Sequence, residues 1–171
     1  MHVPAEFTAF VRACRPTLLR TAYLLAGDRH RAEDLVQETL LRVARRWERC
    51  AEAPLGYARV TLHRVAIDQH RWRSRRPESP PAQVTGSVQV DVTGGVDTKV
   101  VLARALARLT PAQRAVLVAR FYDDLTEVQA ARALGVSPNT VKSQTRRALQ
   151  RLRELAPELL ADVADPLGGG R

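Results

Sequence analysis

Residues 126–153 read TEVQAARALGVSPNTVKSQTRRALQRLR. A short helical pattern runs to Leu134-Gly135-Val136, and a second, strongly basic helix begins at Ser137-Pro138. Gly135 supplies the positive φ that ends one helix and turns the chain sharply. Ser137 is a favourable N-cap, and Pro138 suits the first helical position, where its missing N–H would have no partner. Beyond them Val141, Thr145, Ala148 and Leu152 share one inward face at helical spacing, while Lys142, Ser143, Gln144, Arg146 and Arg147 lie on others. Two helices joined by a tight glycine turn, the second polar and basic, present a helix to the DNA major groove. A capped basic amphipathic helix is also a common solvated surface element, so the rest of the chain decides between the two readings.

A length of 171 residues allows one domain or two small ones. Residues 1–76 carry fifteen arginines against eight acids, a net +7. Residues 77–98 carry no Lys or Arg and three acids (Glu78, Asp91 and Asp97), and residues 99–171 carry twelve basic and seven acidic residues, a net +5. Basic ends around an acidic middle describe two polyanion-binding modules on an acidic tether. Only Lys99 and Lys142 are lysines. The arginine bias suits bidentate phosphate contacts, although GC-rich coding explains most of it. Cys14 and Cys50 belong to no CxxC and have no histidine pair at zinc spacing, which makes them structural thiols. No apolar run approaches membrane-spanning length, and Arg12, Arg15 and Arg20 interrupt what would be a signal-peptide core. The expectation is a soluble, cytoplasmic protein without membrane insertion.

The first 76 residues read as helices throughout. Phe7, Phe10, Val11 and Cys14 share a face, and Pro16 is expected to restart the chain into Leu18, Leu19, Tyr23 and Leu24. Gly27-Asp28 ends that helix. A long helix then carries Leu35, Val36, Leu40, Val43 and Trp47, and Pro54 and Gly56 mark a loop over 49–56. A last helix runs from about Tyr57 into Arg71-Trp72-Arg73-Ser74-Arg75-Arg76. Pro77, Pro80, Pro81, Gly86, Gly94 and Gly95 then break the periodicity, as in a flexible tether. The helical period returns with Val100, Val101, Leu102, Ala105, Leu106 and Leu109, and Thr110-Pro111 caps a helix carrying Val116, Leu117 and Phe121. A turn at Asp123-Asp124 leads into the helix-turn-helix. The fold class is all-α: two small helical domains over 1–76 and 99–156, a flexible linker over 77–98 and a tail over 157–171.

These segments carry a family resemblance. LLRTAYLLAGDRHRAEDLVQETLLRVARRW resembles region 2 of the extracytoplasmic-function sigma factors of bacterial RNA polymerase, and LTPAQRAVLVARFYDDLTEVQAARALGVSPNTVKSQTRRALQRLR resembles their region 4. Together they cover about residues 5–155, and the wording is nearest a subgroup common in actinobacteria. The resemblance implies a subunit without catalysis of its own that directs core RNA polymerase to promoter DNA. It also implies that the amino-terminal domain holds the polymerase clamp and opens the −10 element, while the carboxy-terminal domain reads the −35 element.

On this resemblance, Asp34, Gln37, Glu38 and Arg42 are the core-polymerase residues. Acids one turn apart can also bind a metal, but no histidine or further carboxylate converges from nearby sequence, so neither metal nor cofactor is expected. The −10 element would be met by the loop over 49–56 with Arg59, His63, Arg64, Arg71, Trp72, Arg73, Arg75 and Arg76. Favouring an open strand requires stacking and phosphate contacts. Trp72 reads equally as a stacking platform or as packing. The −35 readers would be Thr140, Lys142, Ser143, Gln144, Arg146 and Arg147, with Arg147 chosen for a bidentate guanine contact. Arg146, Arg151 and Lys142 also suit phosphate. Asn139 departs from the glycine usual in the family. The acidic tether is read as an ordinary linker residue by residue, and as a nucleic-acid mimic only in its overall charge.

Two other functions compete. A stand-alone regulator of the response-regulator type shares the LT…LGVS…TVKS pattern, but leaves 29–76 unexplained. A nucleic-acid-processing enzyme would need an activated constellation. None is legible, and His63 and His70 stand on one helix without a carboxylate in step, which favours DNA contact or surface placement over a metal. An anti-sigma factor is a partner suggested by family habit alone.

Overall fold

Residues 4–75, 96–155 and 157 are described in the computed structural model, and every regular element among them is helical. Helix α1 spans Ala5–Ala26 and stops at Gly27, whose φ of 81° lets its N–H reach back to the Tyr23 carbonyl. Pro16 lies inside α1 rather than between two helices. An internal proline forfeits one backbone bond and crowds the preceding turn, at a cost of about 3 kcal/mol. Burial of Cys14, Leu18, Thr21 and Ala22 along one face holds the helix together across it.

Asp28 accepts from the Arg31 backbone and starts α2, Arg29–Ala44. The chain turns at Arg45-Arg46, so Trp47 belongs to a separate short helix α3, Trp47–Cys50, instead of extending α2. There Trp47 meets Phe7 edge-on at 5.1 Å and Phe10 at 5.3 Å, pinning the start of α1. The expected loop over 49–56 shrinks to residues 51–53, because α4, Pro54–Ser74, already begins at a proline suited to a first helical turn. Leu18 and Ala22 of α1, Leu35, Val36 and Val43 of α2, and Ala58, Leu62 and Val65 of α4 close one core. Cys14 and Cys50 border this core as free thiols, and burial pushes both above the usual thiol pKa.

The carboxy-terminal half starts with α5, Val96–Ala107, so residues 96–98 are helical where a tether was expected. Residues 77–95 of that tether, Arg76 and the tail from 158 lie outside the described residues. Helix α6, Pro111–Leu117, opens on a capping box in which the Thr110 hydroxyl accepts from the Gln113 backbone and the Gln113 side chain accepts from Thr110 N–H. It continues into a π-helical turn, Val118–Tyr122, where Asp123 N–H reaches the Val118 carbonyl. A second capping box, Thr126 with Gln129, opens α7, Glu127–Leu134. Gly135 and Ser137 then lead into α8, Pro138–Leu155.

The two halves pack against one another. Leu25 of α1 and Val60 and Ile67 of α4 lie on the core formed by Ala115, Val116, Ala119, Ala130, Leu134 and Val141. Arg114 ties the seam. Its guanidinium donates to the carbonyls of Leu106, Ala107 and Leu109 at the end of α5 and to Leu25 near the end of α1. A cation there meets the negative ends of two helices. Burial holds its pKa below the usual arginine value, but a guanidinium stays charged at any physiological pH. Arg114→Met keeps much of the volume and orphans these carbonyls. It is expected to cost about 1.5–3 kcal/mol, read as a lowered urea midpoint.

Candidate nucleic-acid interface

The helix-turn-helix depends on three local devices. Gly135 has φ +67° with open space around it, so the position demands glycine for its backbone and not for room. Ser137 Oγ accepts from the Thr140 backbone N–H at 3.1 Å, capping α8. Val141 and Ala148 are wholly buried and Leu152 nearly so, which fixes the rotation of α8 about its axis. That rotation turns Asn139, Lys142, Ser143, Arg146 and Arg147 to solvent and leaves Thr140 and Gln144 half-buried. Ser143 donates its hydroxyl to the Thr140 carbonyl, leaving its oxygen as an acceptor. The exposed face thus joins cationic donors to neutral hydrogen-bonding groups, the mixture that base edges and phosphates require. Gly135→Ala adds a Cβ that meets nothing but must hold a left-handed φ. It is expected to lower stability by about 1 kcal/mol, measured by thermal unfolding.

A second surface lies on α2, where Asp34 and Gln37 are exposed and Glu38 and Arg42 half-buried on one stripe. Arg42 Nε donates to Glu38 at 2.8 Å and Arg42 Nη1 reaches Asp68 of α4 at 3.4 Å. The bond to Glu38 is the main reason its pKa lies above the usual arginine value. Leu41 is half-exposed in the midst of this polar stripe, a residue that reading for charged groups passed over. It stands outside the buried register Leu35-Val36-Thr39-Val43, which only the folded core defines. Between α2 and α4 a cleft of about 300 Å³ is lined by Arg42, Arg45, Arg46, Tyr57, Thr61 and Arg64.

The third surface is α4. Arg64, Arg71, Trp72 and Arg75 are exposed, and the side chain of Arg73 lies outside the described set. His63, expected at the surface or on DNA, is instead wholly buried. The reason is Asp123, which enters from the carboxy-terminal half. His63 Nε2 sits 2.7 Å from Asp123 Oδ2, and the Thr21 hydroxyl donates to Asp123 Oδ1 at 2.9 Å. Arg59 Nε stands 3.9 Å from the same Oδ1, and neither it nor His63 Nδ1 has a hydrogen-bond partner. Arg64 also faces this half, donating to the Arg132 carbonyl at 3.2 Å. Reading the sequence missed Asp123 and Thr21 because their pairing spans about a hundred residues. Among the described residues, no group of three or more His, Cys, Asp or Glu is arranged to hold a metal, and no helix is long and apolar enough to cross a membrane.

Two helical modules, one ending in a capped helix-turn-helix, define a class of transcription protein, and comparison with known families agrees. Residues 10–76 match sigma-70 region 2 and residues 99–152 match sigma-70 region 4. The chain belongs to the sigma-70 family, in its extracytoplasmic-function group. It is 39% identical over 163 residues to RNA polymerase sigma-E factor of Streptomyces coelicolor, covering 94% of this chain and 89% of that one. It is 35% identical over 150 residues to ECF RNA polymerase sigma factor SigL of Mycobacterium tuberculosis, covering 83% and 84%. Among solved structures it resembles the sigma factor RpoE of Bartonella quintana, seen in complex with the anti-sigma factor NepR. The TM-score is 0.64 at 25% identity, covering 89% of this chain and 97% of that one. The protein is an RNA polymerase sigma factor, which binds core polymerase and promoter DNA and directs transcription initiation. A stand-alone regulator does not account for the match over residues 10–76.

Proposed function

We propose that α8 reads the −35 element through Thr140, Lys142, Ser143, Gln144, Arg146 and Arg147, with Arg147 making the bidentate guanine contact. The observation that carries this reading is the rotation of α8, whose buried Val141, Ala148 and Leu152 turn the cationic side chains to solvent. Residues 1–76 and 99–156 act as the two functional modules, with 77–98 as their tether and 157–171 as a tail. The α2 stripe of Asp34, Gln37, Glu38 and Arg42, with Leu41 at its centre, docks on core polymerase. Basic groups of α4 and the segment following it meet the opened −10 strand. The protein performs no catalysis of its own and acts in the cytoplasm. An anti-sigma factor is a further partner, since the related RpoE is seen in complex with the anti-sigma factor NepR.

One dimension constrains this mechanism. Elements named for positions −10 and −35 lie about 25 base pairs apart, about 85 Å at 3.4 Å per step. A compact 171-residue chain has a radius of gyration of about 16 Å. Two modules packed together cannot reach both elements, so the promoter-bound protein must separate them.

Run-off transcription with core polymerase and a library of random promoter-length DNA tests the whole reading. Selected templates should share two short boxes at fixed spacing. Tight binding of the free protein to one site, without polymerase association, would overturn it. Arg147→Ala should relax selection at one position of the upstream box by about 1–3 kcal/mol, while leaving the downstream box unchanged. Leu41→Arg should weaken core-polymerase affinity roughly tenfold without moving the unfolding midpoint, as measured by fluorescence titration.

A further inference from the structure

Residues 59, 60, 63, 64 and 67 of α4 form one continuous helical face, and the carboxy-terminal half packs against it, burying His63 and leaving Arg64 at the exposed rim. Val60 and Ile67 pack on the α6–α7 core, Arg64 bonds the Arg132 carbonyl, and Arg59 and His63 converge on Asp123. Two of the side chains assigned above to the −10 strand, Arg59 and His63, therefore already face a buried partner, while Arg64 is bonded at the rim. That partner offers an anionic group. The Asp123 side chain is 1% exposed, and its two oxygens take the hydroxyl of Thr21 and the ring N–H of His63, with the Arg59 guanidinium alongside.

We infer that Asp123 is an internal stand-in for a DNA phosphate, which occupies the −10 face of α4 when the two modules are closed and must be withdrawn before promoter DNA can bind there. The inference rests on the assignment of α4 to the −10 strand. Its chemistry is competition between two anions for one set of donors. The Asp123 carboxylate takes His63 as a hydrogen-bond partner and Arg59 as a nearby counter-charge, a phosphate would use the same two groups, and only one anion can be seated at a time. Opening releases the Thr21 hydroxyl and His63 from Asp123 and uncovers Arg59 beside them, which leaves the α4 groups free to meet a phosphate. Asp123 itself recovers hydration on leaving, so opening does not strand a buried charge.

The fold supplies the means to seat this group. The π-helical turn Val118–Tyr122 adds a residue to the end of α6, and Asp123 N–H closes it on the Val118 carbonyl. Asp124 follows with φ 56°, a left-handed conformation that aspartate tolerates, and the Leu125 backbone returns to Ala119. Asp123 is thereby held at the tip of a bent segment aimed at α1 and α4. Its neighbour Asp124 has the same charge and remains exposed.

The test uses the full chain without polymerase and a fluorescein-labelled oligothymidylate of about twenty nucleotides, since bases stack and phosphates pair without sequence preference. Asp123→Asn removes the charge and keeps the size, and Thr21→Val removes one of its partners from the other half. Both are expected to tighten oligonucleotide binding at least tenfold and to increase the small-angle scattering radius of gyration. Arg59→Ala with Arg64→Ala should abolish the gain, and Asp124→Asn should give none. Circular dichroism shows whether the helices persist, and Thr21→Val decides the matter if Asp123→Asn does not fold. An expanded chain with unchanged binding overturns the inference. So does a gain equally large in Asp124→Asn, which would mean bulk charge. The underlying assignment is checked separately with Arg59→Ala and Arg64→Ala in the polymerase complex. Undiminished promoter opening there would sink the assignment of α4, whereas impaired opening alongside unchanged free binding would sink the Asp123 inference alone.

Discussion

A buried carboxylate has to be answered. Asp123 is carried by one half of the molecule, and its hydrogen-bonding partners, Thr21 and His63, belong to the other. Removing a carboxylate from water without compensation costs several kcal/mol, so the turn that presents Asp123 is content only while α1 and α4 lie beneath it. The hydrophobic seam has the same dependence. Leu25, Val60 and Ile67 cover the α6–α7 core, and Arg114 binds carbonyls on both sides. Apolar contacts of this kind are non-directional and tolerate sliding. The Asp123 network and the Arg114 fork require one registration, and they set how the halves meet.

Within each half the design differs. The amino-terminal core is built from long helices whose faces are completed by leucine and valine, with an aromatic group of Phe7, Phe10 and Trp47 closing one end. The carboxy-terminal half has shorter helices, and short helices are marginal by themselves. Its order comes from their ends, with two capping boxes, a glycine C-cap and the serine that starts α8. Local chemistry fixes the angles there, and buried alanines, including Ala130, Ala131, Ala133 and Ala148, permit close approach.

This contrast explains what could be read in the chain beforehand. Gly135, Ser137 and Thr110 act through neighbours within a few residues, so these helix ends of the second half and the inward face of α8 were legible. Pro16 misled, because a local penalty was outweighed by burial that only the folded core provides. Trp47 misled for the same reason, since periodicity extends smoothly through the turn at Arg45-Arg46. The burial of His63 was beyond reach of any pattern. Its environment is made by Asp123 of the other module, and an acid in a turn normally reads as solvated. The polar residues named on α2 were accessible to spacing alone, but Leu41 between them was not, because an exposed leucine on an otherwise polar stripe carries no signal until the buried register is known.

The cysteines have a practical consequence. Cys14 and Cys50 are both buried, and burial raises both above the ordinary thiol pKa, so little thiolate is present near neutral pH. Thiol-selective reagents attack the thiolate, and the folded chain presents them with an almost silent background. A cysteine introduced on the open face of α8 and another on α2 would then carry donor and acceptor dyes without stripping the native pair. The separation of the modules could be followed as a distance in real time, in the unaltered core of the protein.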